Sequence, residues 1–292
     1  MDILDVVFSV SGVKTNILLP PLVAMVISFF TSMGGVSGAF LLLPFQMSVL
    51  GYVSPSVSAT NFVYNIVAIP SGVYRFIREG RMYWPLTWVI ILGTLPGVFA
   101  GYFIRVNWLP DPKRFMMFAG LVLLYIGGRL AYGLFSEPAK SVVPPKGSVV
   151  TPVRIDLRRV EFEFLGERHG FSTIGMFTLA LVVGVIGGTY GIGGGAIIAP
   201  FCVAIFRLPV YAVAGAALMG TLITSVAGVV FYSVIPSAQN TQPDWALGAL
   251  FGAGGFVGVY LGARCQRYVP QRYIKIMLTL VLIGLAMKYL IR

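Results

Sequence analysis

The chain has 292 residues, 57% of them hydrophobic and 11% charged, with a mean hydropathy of +0.87 and a formal net charge of +11. Soluble domains carry roughly a quarter charged residues, so this composition excludes a soluble globular protein and points to an all-α polytopic membrane protein. The basic excess sits in loops, where it reports membrane orientation and not nucleic-acid binding.

The N-terminus carries Asp2 and Asp5 and no basic cluster before its first apolar run, unlike a cleaved secretory signal. Apolar segments are expected over 17–34, 38–50, 56–77, 83–105 and 114–135, which make up a first unit, 1–135. A linker, 136–170, follows; it opens Pro-rich and then alternates Ile155, Leu157, Val160, Phe162 and Phe164 with charged residues. That alternation reads as a short cytoplasmic β-hairpin or an amphipathic surface segment. Segments at 172–190, 194–206, 210–235, 244–264 and 272–291 then make up a second unit, 171–292.

The second unit repeats the first. Residues 22–73 align without a gap on 178–229 at an offset of 156, so that Gly35 falls on Gly191, Gly38 on Gly194 and Pro44 on Pro200. The third and fourth segments of each unit also match, at an offset of 161, which sets Gly93, Gly97 and Gly101 on Gly254, Gly258 and Gly262. These glycines recur every four residues, the pattern of a close helix-contact face. Arg75, Arg78 and Arg81 follow the third segment of the first unit, whereas the equivalent loop, Pro236–Pro243, has no Lys or Arg. Equivalent loops of opposite character imply opposite orientation, hence an inverted-topology tandem repeat. With the 75–81 loop, the linker, Arg207 and the 264–275 loop inside, 14 loop cations are cytoplasmic and six are outside, and both termini lie outside.

The segments 38–50 and 194–206 are 13 residues each. At 1.5 Å per residue they rise about 20 Å, too short for a full crossing. Each unit is therefore expected to be a broken, re-entrant helix hairpin plus three transmembrane helices. Matched interruptions in the two halves of an apolar chain point to a transporter and its binding site.

The interruptions themselves read TSMGGVSGAF (31–40) and TYGIGGGAII (189–198). Broken helix ends leave unpaired N–H groups and a positive dipole end, which attract an anion. The expected substrate-binding set from these stretches is Gly34, Gly35, Ser37, Gly38, Thr189, Tyr190, Gly191, Gly193, Gly194 and Gly195. The following segments add Thr60, Asn61, Tyr64 and Asn65, and, from the second unit, Thr221 and Thr224. Asn61 and Asn65 share a helix face and are either donors to an oxyanion or interhelical hydrogen-bond formers. A branched side chain at Gly194 is expected to block ligand access without unfolding the chain. Arg105, Arg129 and Arg264 are the next candidates, as cationic steering groups near the membrane faces.

All ten acidic residues lie at segment ends or in loops, so no intramembrane carboxylate is available to relay a proton or hold a cation. Gly35-Val36-Ser37-Gly38 matches the GxSG motif of rhomboid proteases, but the sole histidine, His169, is in the linker, so no base serves that serine and no enzymatic activity is expected. Cys202 and Cys265 have no metal-ligand spacing and read as packing residues. No metal or cofactor is expected.

At the paired glycine-rich turns, the sequences Leu43-Pro44-Phe45 and Ala199-Pro200-Phe201, and the second-unit run GTYGIGGGAIIAP, the chain resembles the TauE/SafE family of sulfite exporters, formerly the DUF81 domain. The resemblance covers essentially the whole chain. The first unit departs from it, with Ser37 and Ala39 where Gly193 and Gly195 stand in the second. The resemblance implies a secondary transporter of the cytoplasmic membrane that exports a small sulfur-containing anion, sulfite or a C2 organosulfonate such as sulfoacetate. The expected partners are that anion and the lipid bilayer, with oligomeric state left open. The alternatives are a transporter of another small anion or neutral solute, and a non-transporting membrane scaffold or assembly factor.

Overall fold

The structure, a computed structural model, describes residues 4–33, 36–80, 82–136, 150–156, 158–265 and 271–291. A strand pair, β1 (Asp5–Val7) and β2 (Lys14–Asn16), leads into α1 (Leu19–Met33) and α2 (Ala39–Ser48). Next come α3 (Ser56–Ala68), α4 (Pro70–Arg78), α5 (Trp84–Phe103), a π-turn at Ile104–Trp108 and α6 (Pro112–Ser136). Strands β3 (Thr151–Ile155), β4 (Arg159–Phe164) and β5 (Glu167–Ser172) precede α7 (Thr173–Tyr190), α8 (Gly195–Phe206), α9 (Val210–Val234), α10 (Trp245–Cys265) and α11 (Gln271–Ile291).

Among the described residues, five helices are long and apolar enough to cross a membrane: Trp84–Trp108, Pro112–Leu134, Thr173–Tyr190, Ala212–Val234 and Trp245–Cys265. The helices Leu19–Met33, Ala39–Ser48 and Ile276–Ile291 are shorter apolar pieces. The 56–77 segment, expected as one helix, is two, because Pro70 has no N–H to continue the ladder and opens α4 as its first residue. Its counterpart α9 runs unbroken through Val226, the residue that aligns with Pro70.

The glycine ladders are contact faces. A Cβ at Gly97 would lie 2.4 Å from the Leu181 carbonyl oxygen, and one at Gly101 would lie 2.6 Å from the Thr189 nitrogen, so α5 touches α7 backbone to backbone. The same holds for α10 on α1, where a Cβ at Gly254 would lie 1.8 Å from the Pro21 oxygen and one at Gly258 would lie 2.3 Å from the Met25 oxygen. Small residues permit this approach, and dispersion between the paired backbones then holds helices together where lipid removes the hydrophobic drive.

Side-chain contacts sort the loops into two ends. At one end Ser11 donates from its N–H (3.0 Å) and its hydroxyl (2.8 Å) to Asp244 Oδ2. Ser56 donates there to the Gln242 carbonyl, and Tyr102 to the Ile235 carbonyl at 3.2 Å. Asp244 also caps α10, since its Oδ1 accepts from the Leu247 N–H at 3.1 Å. At the other end the Tyr83 ring lies 4.7 Å from Phe162 of β4, and Phe171 of β5 lies 6.4 Å from Phe206 at the close of α8.

The linker differs from the expected hairpin. It forms a three-stranded antiparallel sheet in the order β3-β4-β5, with Val160, Phe162 and Phe164 buried on one face as the alternation requires. Ile155, expected on that face, is 63% exposed; β3 is exposed along its length. Residues 137–149 and Leu157 of the linker lie outside the described residues. The β1–β2 pair had no signal in the apolar pattern, being three residues per strand.

Candidate functional site

The second glycine cluster breaks the helix through its backbone geometry. Gly191 ends α7 with φ +87°, its N–H returning to the Gly187 carbonyl at 2.9 Å, and Gly193 has φ +77°. Both are left-handed conformations that side chains disfavour. Gly194 then caps α8, whose first N–H groups have no intrahelical partner. In the first unit α1 ends at Met33 and Gly38 caps α2; Gly34 and Gly35 lie outside the described residues.

α3 draws the two breaks together, and its residues Ser56 to Asn65 are all buried. Asn61 Nδ2 donates to the Ala39 carbonyl at the start of α2 (3.0 Å) and to the Gly191 carbonyl of the second break (2.8 Å). One turn on, Asn65 Nδ2 donates to the Ile192 carbonyl (3.1 Å) and to Ser225 Oγ of α9 (3.1 Å), while its Oδ1 accepts from Ser37 Oγ (2.9 Å). Tyr190, which ends α7, donates to the Phe40 carbonyl of α2 at 3.1 Å. Breaks that lie 156 residues apart in sequence thus meet within the reach of two adjacent amides.

Each asparagine amide has two N–H donors, and all four are used on protein acceptors. The amides therefore serve as interhelical hydrogen-bond formers in this conformation, the second of the two readings above. The glycines are likewise packed: a Cβ on Gly195 would lie 1.9 Å from the Ala217 oxygen, and one on Gly191 would lie 2.6 Å from the Ser58 Cα. A Cβ on Gly194 would lie 2.6 Å from Thr94 Cγ2, so a branched residue there disturbs α5 as well as any ligand, contrary to expectation.

Ser37, Gly38, Asn61, Tyr64, Asn65, Tyr190, Gly191, Gly193, Gly195 and Thr221 converge on the breaks; Tyr64 shares a 2.7 Å hydrogen bond with Ser28, and both hydroxyls lie beside Gly38. Thr60, Thr189 and Thr224 bond elsewhere. Thr60 Oγ1 accepts from the Asp244 N–H (2.9 Å) and pairs with Tyr52 (3.0 Å), toward α10. Thr189 donates to the Val185 carbonyl (2.8 Å) and Thr224 to the Gly220 carbonyl (2.6 Å), each on its own helix. The reason is angular: one residue along a helix turns the side chain by about 100°, so the neighbours of Asn61 and Ser225 face different partners.

Four residues absent from the expected set belong to this region. Gln46, the one amide in α2, donates to Asn61 Oδ1 at 3.4 Å, and its own Oε1 is buried without a partner. Ser58 donates to the Tyr190 carbonyl at 3.3 Å, and Arg105 Nε donates to Ser58 Oγ at 3.3 Å. Tyr232 is the fourth, fully buried on α9. Arg105, expected as a steering group near a membrane face, is 0% exposed. Arg129 lines a small, mostly apolar pocket with Val36 and Phe40 beside the first break, Ile197 beside the second, and Tyr125, Ile126 and Leu130 of α6. Arg264 sits in the last turn of α10. Among the described residues no group of three or more His, Cys, Asp or Glu is arranged to hold a metal.

Among the described residues the region holds neutral donors, helix N-termini and two arginines, groups suited to a small polar or anionic solute. A relative from Xylella fastidiosa (strain 9a5c), described as a probable membrane transporter protein, is 23% identical over 81% of this chain and 79% of its own length. Another from Bacillus subtilis (strain 168), the probable membrane transporter protein YunE, is 21% identical over 86% of this chain and 89% of its own length. No solved structure matches the chain. The family model described as sulfite exporter TauE/SafE matches residues 21–289, and the chain belongs to that family.

Proposed function

We propose that this membrane transporter exports a small sulfur-containing anion, sulfite or a C2 organosulfonate, through a site at the two glycine breaks, and that it is not an enzyme. One observation carries the reading: Asn61 and Asn65 join both breaks, and two cations lie beside them, Arg105 on Ser58 and Arg129 in a pocket with Val36 and Ile197. Opening the breaks would free four amide N–H groups and two helix N-termini for an oxyanion. The family description supports the sulfur chemistry.

The units 1–135 and 171–292 act as inverted repeats in this reading. Supporting it, α5 of the first unit packs on α7, which opens the second, and α10 packs on α1 by the equivalent glycine ladder. The sheet end, where Tyr83 just after the basic 75–81 loop meets Phe162, is cytoplasmic in this reading, and the end carrying β1–β2 is outside. A cysteine at the exposed turn residue Leu165 should resist an impermeant thiol reagent added to intact cells, and one at Gln239 should react. The reverse labelling would overturn this orientation.

The direct test is sulfite or sulfoacetate efflux from liposomes that hold the purified protein. Moving one charge through 100 mV is worth about 2.3 kcal/mol, and an anion leaves a negative interior downhill, so no coupling ion is required. Efflux should rise with an inside-negative potential. Efflux that ignores voltage and follows a pH gradient would defeat the uniport reading, and absence of flux for both anions would defeat the substrate assignment.

A further inference from the structure

Arg105 occupies an environment that no protein group completes. Its guanidinium lies 3.7 Å from the centroid of the Phe115 ring, Nε donates to Ser58 Oγ, and Nη1 donates to the Leu109 carbonyl. Nη2 is buried with no partner. Among the described residues no carboxylate pairs with the guanidinium. A second buried group lies beside it: the Tyr232 hydroxyl makes no hydrogen bond of good geometry and approaches Ser58, the residue that Arg105 Nε contacts. A buried, unpaired cation in a membrane protein is costly, and such residues mark ion pathways. Burying a polar donor without an acceptor adds to that cost.

The setting is not an accident of the repeat. The 161 offset puts Gln266 opposite Arg105, and the 156 offset puts Phe76 opposite Tyr232. The cation and the hydroxyl therefore occur together at one end only. Arg105 sits in the π-turn Ile104–Trp108, closed by the Leu109 N–H to the Ile104 carbonyl at 3.0 Å. Such wide turns recur at functional sites.

We infer that Arg105 Nη2 and Tyr232 Oη form a second oxyanion-binding station, one side chain away from the second glycine break through Ser58, on the end that carries β1–β2. The station takes a sulfite-, sulfonate- or sulfate-type oxyanion, which supplies both the missing countercharge and the missing acceptor. As a waypoint for the exported anion it rests on the proposed transport function; as a binding site it does not.

Tyr232→Phe is the discriminating variant, because it removes only a hydroxyl that makes no hydrogen bond of good geometry. Thermal unfolding of the purified protein in sulfite, sulfate, nitrate and chloride at matched ionic strength reads binding without flux. The wild type should be stabilised by sulfite or sulfate relative to chloride. Tyr232→Phe should unfold at or above the wild-type temperature without oxyanion and bind sulfite or sulfate about tenfold more weakly, the usual worth of a hydrogen bond to a charged group. Arg105→Gln should lose the protection altogether. Tyr102→Phe, which gives up the bond to Ile235, should be less stable yet keep wild-type oxyanion affinity. No oxyanion protection of the wild type, or unchanged affinity in Tyr232→Phe, overturns the station. Unchanged affinity together with normal liposome flux removes the station and leaves the transport reading standing. Lost protection in the variants without flux from wild-type liposomes keeps the station and removes the transport reading.

Discussion

Gly195→Val is expected to leave almost no folded protein in the membrane. Gly195 is the first residue of α8, and its missing side chain is what lets α8 meet α9. The added Cβ would lie 1.9 Å from the Ala217 carbonyl oxygen, 2.5 Å from the Thr221 nitrogen and 2.5 Å from Thr221 Oγ1. Two of those three atoms are backbone, so no rotamer change relieves the overlap; the helices themselves must separate. Overpacking a well-filled core ordinarily costs 1–3 kcal/mol, and an overlap with backbone atoms belongs above that range, at roughly 4 kcal/mol or more. Gly128→Val is the control, since nothing lies within 4 Å of a Cβ there. Size-exclusion profiles and thermal unfolding of detergent-solubilised protein should separate the two. A monodisperse Gly195→Val protein with wild-type stability would mean that α8 and α9 do not pack as described.

Asn61→Ala has the next largest expected effect, a loss of about 2–5 kcal/mol. The amide satisfies two buried carbonyls, Ala39 and Gly191, one at each break. Truncation leaves the Gly191 carbonyl without this donor and strips the Ala39 carbonyl of the bond that supplements its helical one, and a buried group left short costs about 1–3 kcal/mol. The bond from Gln46 is lost as well, leaving that side chain without its one acceptor. Asn61→Asp should be at least as damaging, because a carboxylate cannot donate and would face two carbonyl oxygens. Differential scanning of the purified variants checks the stability loss. If Asn61→Ala instead keeps wild-type stability while losing sulfite binding, the amide serves the ligand and not the breaks.

These two expectations separate packing from binding at the same place. Gly195 acts through shape alone, whereas Asn61 acts through hydrogen bonds that an anion could take over when the breaks open. The four amide N–H groups that now hold three carbonyls and the Ser225 hydroxyl are the same groups that would receive an oxyanion. In the proposed transport cycle, exchange between those two sets of acceptors would leave no donor unpaired in either state.

Features set by nearby residues were legible in the amino-acid sequence. Membrane residence followed from composition, and the broken helices followed from glycines, which alone accept φ +87° and +77° at Gly191 and Gly193 without strain. The helix-contact role of Gly93, Gly97 and Gly101 followed from their spacing of four, because residues one turn apart share a face. Ser37, Asn61 and Asn65 could be placed near the breaks by the repeat itself. What the sequence did not carry was the identity of partners. Asn61 meets Gly191 across 130 positions and Asn65 meets Ser225 across 160, and no local pattern encodes such pairs. Thr60 looked equivalent to Asn61 but points toward Asp244, a matter of helix rotation against its neighbours. Arg105 read as a loop cation, and only the packing of the π-turn between Ser58, Phe115 and Tyr232 buries it. Local backbone preference acts over a few residues, so it sets where helices break; burial and hydrogen-bond partners depend on which helices meet, and that was decided only by the tertiary structure.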